Sequence, residues 1–150
     1  MHLNISRLTT YSDAIDGKVT INGEYVCDSS ECKTKAILPG DYRIVLHKCK
    51  QYGRRMPLII PEDANKKKCG SRCSRCRQLK NVSNNTLMPC PCPMLKPGNG
   101  VANRTDGSII VGQNAAYGLL LHPDESFKRI FDRMRKCGGR HEEITLTILG

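Results

Sequence analysis

"KVTINGEYV", Lys18 to Val26, is the stretch on which the fold class turns. Lys18-Val19-Thr20-Ile21 and Glu24-Tyr25-Val26 are rich in β-branched and aromatic residues. Asn22-Gly23 between them readily supplies the two positive φ angles of a type I′ turn, so the stretch predicts an antiparallel hairpin with a strand on each side. Further along, Pro39-Gly40 marks a turn within Ala36 to His47, and Tyr42, Ile44 and Leu46 then alternate onto one face, which predicts another strand. At the chain's end Ile144, Leu146 and Ile148 face one way and Thr145, Thr147 and Leu149 the other. That pattern fits an antiparallel sheet with one wetter face.

Asp124 to Cys137 reads as a helix. Phe127, Ile130, Phe131 and Met134 form one apolar stripe, Pro123 and Asp124 suit its start, and Arg133, Arg135 and Lys136 followed by Gly138-Gly139 suit its end. A helix of this kind is expected to pack across a sheet. The expected class is therefore α+β and β-rich: a mostly antiparallel sheet or partly open barrel, one C-terminal amphipathic helix, and a long cysteine-rich loop.

The chain's 150 residues fit a single domain, residues 1–150, with one modest core. There is no Trp and Phe127 and Phe131 are the only phenylalanines, so Val, Ile, Leu and Tyr must fill that core. Apolar runs such as Ile109 to Val111 fall far short of the roughly 20 residues of a membrane span. The first residues carry neither a basic nor an apolar signal region, so synthesis and folding in a cytosol without a signal peptide are expected.

The net charge of +10 is concentrated. Lys66, Lys67, Lys68, Arg72, Arg75, Arg77 and Lys80 lie in a segment with no acidic residue, a pattern that raises binding to phosphate backbones. The same region, residues 61–97, reads as neither sheet nor helix and holds Cys69, Cys73, Cys76, Cys90 and Cys92. A structureless loop of that length needs something to organise it. Cys73-Ser74-Arg75-Cys76 resembles half of a zinc knuckle and Cys90-Pro91-Cys92 supplies a second half, so zinc held by Cys73, Cys76, Cys90 and Cys92, with Cys69 as a substitute, is the expected staple of this basic insertion. Two disulfides are the alternative; they require an oxidising destination and leave one cysteine over. Free thiols are the third. No aromatic residue is present in the segment for a base to stack on, which favours a staple over a nucleic-acid knuckle. Cys27, Cys32, Cys49 and Cys137 read as buried small residues, and Asp28, Glu31, Asp41 and Asp106 as turn or surface acids.

Four stretches in order carry a resemblance: Gly17 to Asp28, Ala36 to Tyr42, Tyr52 to Pro57, and Gly98-Asn99 followed by Gly107-Ser108-Ile109-Ile110-Val111-Gly112. Together with the final helix and strand they resemble a small uncharacterised domain family of phages, prophages and some bacteria. That family places His-x-Gly-Asn before the last motif and Gly-Cys inside it, which is similar to the His…Gly-Cys pattern of L,D-transpeptidases. The resemblance implies a cysteine thiolate attacking an amide carbonyl, a histidine taking its proton, and loop amides holding the oxyanion. Here the histidine position falls on Lys96 and the cysteine position on Ser108. Serine is a far weaker nucleophile unless an adjacent base activates it.

Three readings remain open. In the first, the fold persists without catalysis as a virion or assembly component of tail, baseplate or capsid, partnered by other virion proteins or by peptidoglycan, and Gly98, Asn99 and Gly107 keep a binding loop's geometry. The second is a peptidoglycan-processing enzyme using Ser108 with Lys96 as base. The third is a zinc-knuckle protein that binds nucleic acid through its basic segment.

Overall fold

The computed structural model describes residues 1–49, 52–61, 93–100, 103 and 107–150. The expected zinc ligands Cys69, Cys73, Cys76, Cys90 and Cys92, and the basic run from Lys66 to Lys80, lie outside the described residues.

The Asn22-Gly23 turn forms as its composition dictates, with φ of 50° and 88° at the two positions. It joins β2 (Ala14–Ile21) to β3 (Glu24–Cys32) in antiparallel register, Ile21 opposite Glu24. From this hairpin the sheet grows both ways. On one side stand β1 (His2–Thr10), β9 (Ile144–Leu149), β4 (Gly40–Cys49) and β5 (Arg54–Pro61). On the other stand β7 (Ile109–Ala116) and β6 (Leu95–Pro97), with β8 (Leu119–Leu121) hairpinned onto β7. The two edges then meet. Leu58 of β5 bridges Met94, and the Ile59 amide donates to the Pro93 carbonyl at 2.7 Å, so the sheet is a nearly closed barrel.

The sheet is mixed, which corrects the expectation of a mostly antiparallel one. β9 slots between β4 and β1, antiparallel to the first and parallel to the second. β6 runs parallel to β7. The reason for β9 lies in the helix before it. The helix α1 (Pro123–Gly139) delivers the chain to the end of the barrel at which β1 also begins, so β9 must run in the direction of β1.

That helix lies across a barrel end and plugs it. Arg129 donates to the Val26 carbonyl and the Arg54 guanidinium sits 5.1 Å from the centre of the Phe127 ring, both at the start of their strands β3 and β5, and Pro123 abuts Gly112 within β7. Phe127, Ile130 and Met134 are buried there, while Phe131, stacked on Phe127 with ring centres 5.4 Å apart, is half-buried. The expected glycine cap is not used. The helix runs through Gly138 and Gly139, and His141 takes the left-handed conformation at φ 57°, where the Glu142 amide returns to the Cys137 carbonyl.

Inside the barrel the inward positions alternate along each strand: Leu3 and Ile5, Val19 and Ile21, Ile109 and Val111, and Ile144, Leu146 and Ile148, the last set as the sequence predicts, form one apolar cluster. Each such fully buried side chain contributes roughly 1.5–3 kcal/mol relative to exposure. Among the described residues no helix is long and apolar enough to cross a membrane.

Candidate functional site

Cross-strand partners share a face of a sheet. Asp16 of β2 stands opposite Ser30 of β3, Ser30 opposite Ile110 of β7, and Ile110 opposite Lys96 of β6, so these four form one row across the barrel's outer surface. Their neighbours Ile109 and Val111 point into the core.

Asp16 organises this face. Only 6% exposed, it accepts three hydrogen bonds: Ser30 Oγ to Oδ1 at 2.8 Å, and Asn114 Nδ2 and the Gly118 amide to Oδ2 at 3.0 and 2.7 Å. Gly118 belongs to the turn between β7 and β8, so the carboxylate ties the tip of that hairpin down over β3. Tyr117, next in the turn, packs on Tyr11 with ring centres 4.7 Å apart. Gly112 makes the fold-back possible: a Cβ there would meet Leu120 Cβ at 2.8 Å and the Leu121 carbonyl oxygen at 2.9 Å.

One row along, Lys18 stands opposite Asp28 and Asp28 opposite Gly112. Asp28 Oδ1 accepts from the Tyr25 hydroxyl at 3.0 Å, and Oδ2 from the Asn114 amide at 2.8 Å. Burial, then the hydrogen bond to Asp28 and that residue's charge, push the Tyr25 hydroxyl up to about 12. The Lys18 ammonium lies 5.6 Å from the centre of the Tyr25 ring. These groups line an open pocket of about 410 Å³ with Tyr11, Thr9 and Asn114 at its walls.

The described residues of the expected catalytic and binding loop do other work. Ser108 is 1% exposed and its Oγ accepts the Met94 amide at 3.1 Å. Lys96 is half-buried, in register with Ile110 two residues beyond Ser108. Gly98 lets the chain close over Ile110, since a Cβ there would lie 2.6 Å from Ile110 Cγ2 and 2.7 Å from Asn103 Cβ. Asn99 is a clasp: its Nδ2 donates to the Leu120 carbonyl at 2.9 Å, its own carbonyl accepts the Leu120 amide at 2.7 Å, and its amide donates to Asn103 Oδ1. Gly107 is buried. Of the histidines, His2 bonds Thr145 and Thr147 on the face of β9.

Of the acids expected at turns or on the surface, Asp41 is an exposed residue of β4 and Asp106 lies outside the described residues, whereas the other two are withdrawn from solvent in β3. Glu31 is 1% exposed inside the barrel, paired with Arg7, and Asp28 is half-buried in β3. Asp16 carries no local signal, because the groups it binds lie 14, 98 and 102 residues away in the chain. Tyr11, Tyr117 and Asn114 are united with it in the same way, by the fold-back of one hairpin.

A larger groove of about 960 Å³ runs between α1 and strands β4 and β5, with Phe127 and Phe131 in its wall. Its charges are of both signs and partly satisfied by one another. Arg43 Nε lies 2.8 Å from Glu143 Oε1, near enough for an ion pair though not aligned as a hydrogen bond, and Lys128 Nζ lies 3.9 Å from Asp132. The smaller pocket has fixed polar atoms converging on one space, which is the property of a recognition site.

Among the described residues no group of three or more His, Cys, Asp or Glu is placed to hold a metal ion. Comparison with family models, with curated proteins and with solved structures finds no match to the chain.

Proposed function

We propose that this chain is a non-catalytic binding and assembly module, a structural component of a phage or prophage particle at its tail, baseplate or capsid, built on a barrel of the L,D-transpeptidase-like kind that its motifs resemble. The observation that carries the non-catalytic part is Ser108. A nucleophile must reach both a substrate carbonyl and a base, whereas this hydroxyl is 1% exposed and engaged by the Met94 amide. Gly98 and Asn99, which would shape a catalytic loop, are committed to packing on Ile110 and clasping Leu120. The setting in a phage particle rests on the resemblance. In the same reading Cys73, Cys76, Cys90 and Cys92 hold a zinc ion that staples the insertion, and metal content of the purified chain tests that part.

The deciding experiment is mass spectrometry of purified peptidoglycan fragments after incubation with the folded protein, beside Ser108→Ala. The expected result is an unchanged fragment pattern with both proteins. New cleaved or exchanged stem peptides that vanish in Ser108→Ala would overturn the proposal and assign an enzyme.

A further inference from the structure

We propose that the pocket framed by Tyr11, Tyr25, Asp28, Asn114 and Lys18 binds a saccharide. The inference goes beyond the reading above and does not depend on it, because neither Ser108 nor Lys96 lines this space.

The aromatic residues provide the first argument. Of the chain's five tyrosines, Tyr42 and Tyr52 pack against the core, while the other three gather on this one outer surface. Tyr25 is 56% and Tyr117 65% exposed, with Tyr11 backed by the Tyr117 ring. Exposed rings held by packing offer a flat apolar face with a polar rim. The C–H face of a sugar ring is the complement of such a surface.

The polar floor provides the second. A polyol presents hydroxyls that both donate and accept, and needs fixed partners of both kinds close together. Here Asp28 offers acceptor oxygens, and Lys18 and Thr9 offer donors, within a pocket of about 410 Å³. The acceptor is set in place before any ligand arrives, since the Tyr25 hydroxyl and the Asn114 amide both hold the Asp28 carboxylate. Such preorganisation lowers the entropic cost of binding.

Charge excludes the rival ligands. An anion would face the carboxylates of Asp16 and Asp28. An ammonium ion would meet the like charge of Lys18, whose ammonium lies 5.6 Å from the centre of the Tyr25 ring, and would find the oxygens of Asp16 already taken by three donors. A neutral ring of hydroxyls meets neither obstacle.

The test is titration of the full chain with cellohexaose, chitohexaose and mannohexaose, followed by calorimetry and by tyrosine emission, which no Trp obscures in this chain. Saturable binding of at least one of them at millimolar concentration or below is expected. Tyr25→Ala and Asp28→Asn should each weaken it by about tenfold or more, the consequence of losing one fixed contact to a charged or aromatic partner. Far-UV circular dichroism confirms that each variant is folded, and Tyr25→Phe, which keeps the ring, should retain most of the stacking. The inference is overturned by an absence of saturable heat with all three sugars, by binding that folded variants leave unchanged, or by saturation with n-butylammonium instead. None of these outcomes alters the peptidoglycan result that tests the non-catalytic reading.

Discussion

Arg7 and Glu31 meet as a two-pronged ion pair inside the barrel. Arg7 Nε donates to Oε2 at 2.9 Å and Nη2 to Oε1 at 2.8 Å, and Nη2 also donates to the Ile37 carbonyl at 2.6 Å. The barrel is thus closed by different chemistry at its two ends, by the apolar stripe of α1 at one and by this pair, under the segment that carries Ile37, at the other. Planar guanidinium and carboxylate groups suit such a place because the two parallel bonds fix orientation as well as charge.

Glu31→Gln leaves the Arg7 guanidinium buried without its counter-ion, with side-chain exposures of 10% for Arg7 and 1% for Glu31 in the intact pair. Breaking a buried pair from one side costs about 3–5 kcal/mol, whereas replacing both partners by apolar residues is often neutral. Urea unfolding should therefore show a large loss for Glu31→Gln and a smaller one for Arg7→Met combined with Glu31→Leu. Equal losses would mean that the pair contributes more than the cost of an uncompensated charge.

Gly112→Ala and Gly98→Ala should each destabilise the fold. At Gly112 the new Cβ meets the Leu121 backbone oxygen at 2.9 Å as well as Leu120 Cβ, so the hairpin itself must move. At Gly98 the new Cβ meets Ile110 Cγ2 at 2.6 Å and Asn103 Cβ at 2.7 Å, and since a Cβ is fixed to its backbone no rotamer relieves the second contact, so the chain must shift there too. Overpacking of this kind costs roughly 1–3 kcal/mol. A lowered thermal unfolding midpoint in each variant is the check.

What was legible in the sequence was what short-range chemistry decides. Asn22-Gly23 sets its turn through its own φ preferences, α1 shows its stripe within four turns, and β9 shows its alternation within six residues. β1 was hidden, because after Leu3 and Ile5 the inward side chain is Arg7, whose apolar logic depends on Glu31 twenty-four residues away. The parallel pairing of β1 with β9 joins the chain's two ends, and no local pattern encodes it. The polar site was illegible for the same reason: Asp16 reads as an isolated acid until the β7–β8 hairpin brings Asn114 and Gly118 onto it. Conversely Ser108, conspicuous by its motif, is a buried hydroxyl that accepts the Met94 amide.

The thiols should differ in reactivity. Burial, reinforced by the charge of Asp28, pushes Cys27 up from 9.0 to about 12, whereas the Thr34 hydroxyl beside Cys32 pulls that thiol below its ordinary value. At mildly alkaline pH an alkylating reagent should modify Cys32 before Cys27, and Cys27 only on unfolding, read by peptide mass spectrometry. The sign for stability follows from proton binding. Between about pH 9 and 12 the folded state keeps the Cys27 proton that the unfolded chain releases, so stability is full below the unfolded value and falls as pH rises through that window. Cys27→Ala should flatten the alkaline part of the profile, although Tyr25, also raised to about 12, continues to contribute to it.

Asp16 is the residue whose removal should release the outer face while leaving the barrel standing. Its carboxylate joins β2 to β3 through Ser30 and to the hairpin through Asn114 and Gly118, so Asp16→Ala deprives three donors of their acceptor at once. Each buried donor left unpaired costs about 1–3 kcal/mol, which the chain can avoid only by letting the hairpin tip open to water. The apolar interior does not depend on this contact, because Ile109 and Val111 hold β7 in the core from the other side. Hydrogen exchange should therefore show the Gly118 amide losing protection in Asp16→Ala, together with the Leu120 amide that Asn99 clasps, while the amides of β1 and β9 keep theirs. Asp16→Asn retains one acceptor oxygen and should fall between. If the β1 and β9 amides lost protection in step with Gly118, Asp16 would belong to the cooperative core of the barrel and not to a separable recognition surface laid over it.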